Sequence, residues 1–134
     1  MPVQKQETAI EMRPYRLGVA LSGGGARGFA HAGALKAIEE AGLKPDIIAG
    51  VSAGSIVAVL YAAGVHPENM LKLFSERAFT DFASLQLGSG GLFGIEKFKN
   101  FIMRAIGGEK NLEDLNIPVY LGVTDLDHGE ACEF

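Results

Sequence analysis

The sequence predicts an α/β domain built on a mainly parallel β-sheet. Two short apolar segments, Arg16–Ser22 and Ile47–Gly50, are each followed by a glycine-containing turn and then by a segment with helical spacing. Neighbouring parallel strands need a crossover connection, which a helix usually supplies. Glycine makes up 18 of the 134 residues, about twice the usual frequency of roughly 7%. This surplus falls at turns without forming a repeat, so the backbone is expected to turn sharply several times.

The first strand, loop and helix follow from apolar spacing. Arg16–Ser22 is an apolar run next to glycines, which is typical of a buried strand. Gly23–Gly28 is a glycine-rich loop. Phe29–Ala41 then predicts a helix capped by Gly42, because its apolar residues share one side: Phe29, Ala32, Leu35 and Ile38.

The second strand and helix form the longest uncharged stretch of the chain. Ile47–Val65 has 19 residues without a charge, about the length of a membrane-spanning helix. Its glycines and serines and its β-like beginning favour a different interpretation. We expect a buried strand, Ile47–Gly50, and a buried helix, Ser52–Ala63, in a soluble protein.

The middle of the chain changes character after Gly64. Pro67–Phe79 predicts an amphipathic helix that starts at His66 or Pro67. Asp81–Gly94, rich in glycine and serine, predicts a mobile loop with four apolar side chains that could form a lipid-facing lid or pack on the core: Leu85, Leu87, Leu92 and Phe93.

The last part of the chain predicts a helix and a hairpin. Ile95–Ile106 has helical spacing and ends at Gly107-Gly108. Pro118–Thr124 reads as a third strand, followed by a turn and then Glu130–Phe134 on the rising side of a hairpin. Residues 1–14 are expected to be a flexible tail, and residues 15–134 to be the domain.

Composition excludes several classes of protein. Twelve Lys and Arg against sixteen Asp and Glu give a net charge of −4, which argues against a nucleic-acid partner or a polybasic membrane anchor. The single cysteine, Cys132, excludes an internal disulfide framework and suits a reducing compartment. Met1–Arg13 has no apolar core of a secretory signal. We therefore expect a cytoplasmic protein.

The strongest chemical signal is the pentapeptide Gly50-Val51-Ser52-Ala53-Gly54. In a G-x-S-x-G turn between strand and helix, small residues flank a serine because the turn is too sharp for larger ones. The turn exposes the hydroxyl at a helix N-terminus, where the dipole favours developing negative charge. The pattern also arises by chance in glycine–serine turns, but its strand–helix context favours Ser52 as a nucleophile.

The glycine-rich loop allows two interpretations. Gly23, Gly25 and Gly28 fit G-x-G-x-x-G, a dinucleotide-binding pattern that requires an acidic residue at the end of the second strand. Asp46 is at the right distance but stands at the beginning of that strand. Alternatively, Gly23, Gly24 and Gly25 present free N–H groups to an oxyanion. Arg27 would then add a positive charge, or form a salt bridge with a nearby carboxylate.

Together, the GGGARG and GVSAG blocks resemble the patatin-like phospholipase family over Leu17–Gly64, and Thr124–Glu130 is similar to its T-D-L-x-x-G-E segment. The resemblance implies a three-layer α/β/α sandwich that cleaves lipid esters through a Ser–Asp dyad, without metal or cofactor. It implies Ser52 as the nucleophile in an elbow flanked by Gly50 and Gly54. It also implies an oxyanion hole formed by Gly23, Gly24, Gly25 and Arg27.

One departure from the family pattern stands out. The family's catalytic aspartate lies in a D-G-G or D-G-A motif, which is absent from these 134 residues. Asp125 and Asp127 match a different block and are expected to shape a turn. We expect this chain to be the N-terminal part of a larger hydrolase, with the aspartate beyond it. Alone, it would be inactive or weakly active, and an incomplete sheet could self-associate.

The three histidines are expected to be structural, and none has metal-ligand spacing. His31 suits close helix packing, His66 a helix start and His128 a turn. Two other functions remain open. One is a nucleotide- or phosphate-binding module that uses the glycine loop. The other is a catalytically silent lipid- or protein-binding domain that keeps the elbow only as structure.

Overall fold

A computed structural model describes residues 15–75 and 91–134. Their strands form one sheet in the order β1 (Gly18–Leu21), β2 (Ile47–Val51), β3 (Val119–Asp125) and β4 (Glu130–Glu133). The first three strands are parallel, and β4 returns antiparallel to β3. The predicted α/β class and the terminal hairpin are confirmed.

Within these residues, four helices and two short 3₁₀ turns connect the strands. The helices are α1 (Phe29–Glu40), α2 (Ala53–Ala62), α3 (Pro67–Ser75) and α4 (Gly91–Ala105). The 3₁₀ turns are Gly25–Gly28 and Leu112–Asp114. Helix α1 is capped by Gly42, as expected. The φ of 76° at Gly42 lets its N–H donate to the carbonyl of Glu39, while the N–H of Leu43 donates to the carbonyl of Ile38.

The core lies on one face of the sheet. Leu21, Ile48 and Val119 are buried on adjacent strands, and α2 packs across them. Helix α2 is apolar nearly all round and therefore occupies the centre of the layer. The remaining helices cover it with side chains that join the same cluster: Leu35, Met70, Phe74 and Phe101.

The loop expected over Asp81–Gly94 is wrong for its last four residues, and its other residues lie outside those described. Helix α4 begins at Gly91 instead of Ile95, so Leu92 and Phe93 lie within a helix. Packing overrides the low helix propensity of glycine here, because Phe101 is buried and Phe98 packs against the core. Leu85 and Leu87 lie outside the described residues, as do the expected tail 1–14 and the end of the predicted helix Pro67–Phe79.

The opposite face of the sheet is accessible. The side chains of Val51 and Tyr120, on neighbouring strands, are 51% and 50% exposed. Within the described ranges, the helices therefore cover one face of the sheet. The sheet and these helices together form two of the three layers of the expected sandwich. No helix in these ranges is both long enough and apolar enough to cross a bilayer.

Candidate active site

Ser52 occupies a strained turn between β2 and α2. Its φ of 52° and ψ of −123° make it the non-glycine residue with a positive φ among those described. This conformation suits glycine better than residues with a Cβ. The side chain is exposed, and its hydroxyl has no hydrogen-bond partner in the described part of the chain. Ser52 is thus held in a turn that leaves its hydroxyl exposed and without a hydrogen bond to the described residues.

The glycines on either side of Ser52 are required by close backbone approach. A Cβ built on Gly50 would lie 2.5 Å from the carbonyl oxygen of Gly54. A Cβ on Gly54 would overlap the carbonyl group of Leu21, at the end of β1. The elbow is therefore too tight for any side chain at these positions, as the G-x-S-x-G spacing predicts.

The glycine loop lies directly against the elbow. A Cβ built on Gly23 would be 3.3 Å from the Cβ of Ser52 and 3.8 Å from its hydroxyl oxygen. Gly28 lies even closer to the first turn of α2, since a Cβ built on it would be 2.9 Å from that of Ala53. The fold therefore brings the two sequence motifs together.

The backbone N–H groups of the loop are available for a ligand. None of the backbone bonds between described residues uses the N–H of Gly23 or Gly24. Gly25 begins the 3₁₀ turn, and the first N–H groups of a helical segment lack a partner within it. Of these three residues, Gly23 lies directly beside Ser52. Such an arrangement can accept a developing oxyanion.

Arg27 lies in the 3₁₀ turn that packs against α2. Its N–H donates to the carbonyl of Gly24 at 3.1 Å, and the residue is exposed. Arg27 forms no ion pair with any residue in 15–75 or 91–134. The alternative role of Arg27 in a structural salt bridge therefore has no carboxylate partner within these ranges. Its positive charge faces solvent next to the glycine loop.

Two polar side chains support the site. His31 contacts the carbonyl oxygen of Ser22 through Nε2 at 2.8 Å, which ties α1 to the end of β1 and confirms its structural role. The hydroxyl of Ser55 donates to the carbonyl of Ser52. The sequence analysis missed Ser55, although its position three residues after Ser52 is typical of a side chain that bonds the first turn of a helix.

Asp46 lies at the other edge of the sheet. Its carboxylate accepts hydrogen bonds from the backbone N–H groups of Arg16 and Leu17, at 2.9 and 3.2 Å. It therefore organises the amino ends of β1 and β2, whereas the dinucleotide pattern needs an acid at the carboxyl end. The nucleotide-binding alternative consequently lacks its acidic residue.

His66 and Tyr61 share one carboxylate far from Ser52. The Tyr61 hydroxyl donates to Glu39 at 2.9 Å, and Nδ1 of His66 is 3.6 Å from the same carboxylate. Burial, and then the hydrogen bond to Glu39, raises the pKa of Tyr61 well above its ordinary value. The backbone carbonyl of His66 accepts from Asn69 and Met70, which confirms its role at the start of α3.

Asp125 organises the turn between β3 and β4. Its Oδ1 accepts the N–H groups of Asp127 and His128, and its Oδ2 lies 2.7 Å from Nδ1 of His128. The side-chain hydrogen bond to His128 and these backbone N–H groups lower the pKa of the Asp125 carboxyl. The expected turn-shaping role of Asp125 is confirmed. Within the described ranges no group of three or more His, Cys, Asp or Glu could hold a metal ion.

The fold and site define an α/β protein with an exposed serine in a sharp strand–helix turn beside a glycine-rich loop. A family model described as Patatin-like phospholipase matches residues 19–129, and the chain belongs to this family. Its relatives include the "Neuropathy target esterase sws" of Drosophila persimilis, 33% identical over 82% of this chain. "Lysophospholipase NTE1" of Coccidioides immitis is 40% identical, again over 82% of this chain.

The chain spans a small part of these relatives. It covers 8% of the Drosophila persimilis protein and 7% of the Coccidioides immitis protein. Among solved structures, a chain from the crystal structure of full-length SpcU in complex with full-length ExoU, from Pseudomonas aeruginosa, has the same fold. The TM-score is 0.59 at 19% identity, covering 90% of this chain and 34% of that one.

Proposed function

We propose that this chain carries the nucleophile and oxyanion hole of a serine hydrolase that cleaves lipid esters. The observation that carries the proposal is the approach of Gly23 to Ser52, which sets free N–H groups beside an exposed hydroxyl. Membership of the patatin-like phospholipase family supports a lipid substrate. Relatives named as an esterase and as a lysophospholipase agree with it.

In the proposed reaction, Ser52 Oγ attacks the carbonyl carbon of the ester and loses its proton to a general base. The N–H groups of Gly23, Gly24 and Gly25 stabilise the oxyanion, and the N-terminus of α2 and the charge of Arg27 favour the same negative charge. The C–O bond to the alcohol then breaks, and the alcohol leaves with the proton. Water hydrolyses the acyl-enzyme and restores Ser52.

We propose that the general base is the aspartate of the family's D-G-G or D-G-A motif, supplied by sequence outside these 134 residues. Asp125 is not the base in this proposal, since both its oxygens already accept hydrogen bonds in the turn. Without its base, a nucleophile keeps the rate contributions of the oxyanion hole and of binding. The 134-residue chain should therefore react with activated acyl or phosphonyl groups but turn over slowly.

Fluorophosphonate labelling, with the modified residue located by mass spectrometry, tests the proposal. We expect labelling at Ser52, loss of labelling in Ser52→Ala, and retention in Ser55→Ala, which removes a hydroxyl from the same turn. In a longer form of the protein that includes the D-G-G or D-G-A aspartate, we expect fluorophosphonate to label Ser52 faster. Absence of labelling in that longer form would contradict the hydrolase function.

A cytoplasmic location, expected from composition and the single Cys132, belongs to the same proposal. Self-association through the accessible sheet face also remains a prediction. Neither is needed for the chemistry at Ser52.

A further inference from the structure

A single hydrogen bond from His31 holds the peptide group at which the glycine loop begins. Nε2 of His31 lies 2.8 Å from the carbonyl oxygen of Ser22. A carbonyl oxygen can only accept a hydrogen bond, so Nε2 carries the proton and donates it. Ser22 directly precedes Gly23. The bond therefore acts on the peptide group that joins these two residues.

The carbonyl of Ser22 and the N–H of Gly23 belong to the same planar group. In a trans peptide the C=O and the N–H point in opposite directions. No peptide bond between the described residues is cis. By holding the carbonyl on one side of this group, His31 therefore fixes the direction of the Gly23 N–H on the other side.

The Ser22 carbonyl also faces the first turn of α2. A Cβ built on Gly54 would lie 2.6 Å from its oxygen. The oxygen is thus contacted by α1 through His31 and by α2 at Gly54, and the Gly23 N–H points away from it. None of the backbone carbonyls in the described part of the chain accepts this N–H, and Gly23 lies beside Ser52.

Glycine at position 23 makes this orientation easy to lose. Glycine adopts positive and negative φ about equally well, so the Ser22–Gly23 peptide group could rotate and turn its N–H in another direction. Rotation would break the hydrogen bond to His31. A hydrogen bond of ordinary net strength favours the bonded orientation by about fivefold.

We propose that His31 is a positioning residue for the oxyanion hole. By holding the Ser22 carbonyl, it directs the N–H of Gly23 toward the oxyanion that forms at Ser52. This inference rests on the proposed function, because it concerns the orientation of a donor in that reaction. An oxyanion donor acts on charge that develops in the transition state. Its orientation therefore changes the rate of bond formation more than the binding of the reagent.

The kinetics of fluorophosphonate labelling at Ser52 test the proposal. His31→Leu keeps an apolar side chain of similar size but removes the donor, whereas His31→Gln restores an N–H near the position of Nε2. We expect the maximum labelling rate to fall about fivefold in His31→Leu, with the half-saturating reagent concentration unchanged. The rate should return toward the wild-type value in His31→Gln.

Two comparisons separate this effect from a general loss of structure. Leucine and glutamine both favour a helix at least as well as histidine, so helix propensity does not account for a slower His31→Leu. His66→Leu is the matched control. It removes the contact of His66 with Glu39, at 3.6 Å and far from Ser52, and should leave the labelling rate unchanged.

The imidazole of His31 gives a second readout that needs neither a variant nor the reaction. Nitrogen-15 NMR of the wild type at pH 9 should show the ring proton on Nε2, as donation to Ser22 requires. A proton on Nδ1 would overturn the proposal. Equal labelling rates in the wild type and His31→Leu, or a His31→Gln variant as slow as His31→Leu, would overturn it while the proposed function stands. A wild type that fails to label even in the longer form would overturn both.

Discussion

Gly54, in the first turn of α2, lies directly against the carbonyl group of Leu21 at the end of β1. This contact sets the first turn of α2 across the end of the neighbouring strand. The glycine loop that follows β1 is thereby brought alongside Ser52. The distance between Ser52 and the glycine loop is thus determined by the packing of one helix on one strand.

The contact predicts a large cost for a single methyl group. In Gly54→Ala the added Cβ would overlap the backbone of Leu21, which cannot move without disturbing the sheet. We expect the free energy of unfolding to fall by about 3 kcal/mol, measured by urea denaturation.

Gly33→Ala is the control for that substitution. Gly33 lies within α1, and a Cβ there meets nothing within 4 Å. Alanine should raise the free energy of unfolding by about 0.5–1 kcal/mol, because it favours a helix. Equal effects of the two substitutions would show that the Gly54–Leu21 contact is looser than the structure indicates.

The backbone of Ser52 predicts that glycine is a more stable replacement than alanine when its side chain is removed. Ser52→Gly relieves a conformation that favours glycine, whereas Ser52→Ala keeps a Cβ in it. Both variants lack the hydroxyl and should fail to react with fluorophosphonate. We expect Ser52→Gly to be about 1 kcal/mol more stable than Ser52→Ala in urea denaturation. A more stable alanine variant would mean that the turn is unstrained in solution.

The Tyr61–Glu39 hydrogen bond predicts a pH-dependent stability. Tyr61→Phe should lower the free energy of unfolding by about 1–2 kcal/mol at pH 7, because a buried hydrogen bond to a carboxylate is lost. The pKa of Tyr61 is raised in the folded protein, whereas in the unfolded chain it returns to the ordinary tyrosine pKa of about 10. Above that pH, unfolding therefore releases the proton of Tyr61. The stabilisation is thus complete below pH 10 and is lost as the pH rises further.

Urea denaturation of the wild type and Tyr61→Phe between pH 7 and pH 11 measures this effect. The difference between the two proteins should shrink above pH 10. Tyr120→Phe serves as the control, because Tyr120 is half exposed and should behave like the wild type throughout. A difference that stays constant up to pH 11 would contradict the raised pKa.

Much of the fold could be predicted from local pattern. The apolar runs around Val19 and Ile48 and the capping Gly42 each carry their own signal, so the first strands and helices were placed within one or two residues. The start of α4 is predicted at Ile95, four residues too late. A helix that begins at Gly91 depends on the burial of Phe101 in the core. Local propensity opposes that helix and tertiary packing decides it.

For the site, the sequence by itself predicted the sharp turn at Ser52. The spacing of Gly50, Ser52 and Gly54 is a backbone requirement that any strand–helix elbow imposes, so it can be recognised without coordinates. Only the tertiary structure decided that Gly23 lies beside Ser52 and that Asp46 lies at the far edge. These relations depend on which strands are neighbours and in which register, and strand pairing is a non-local interaction that local sequence does not encode.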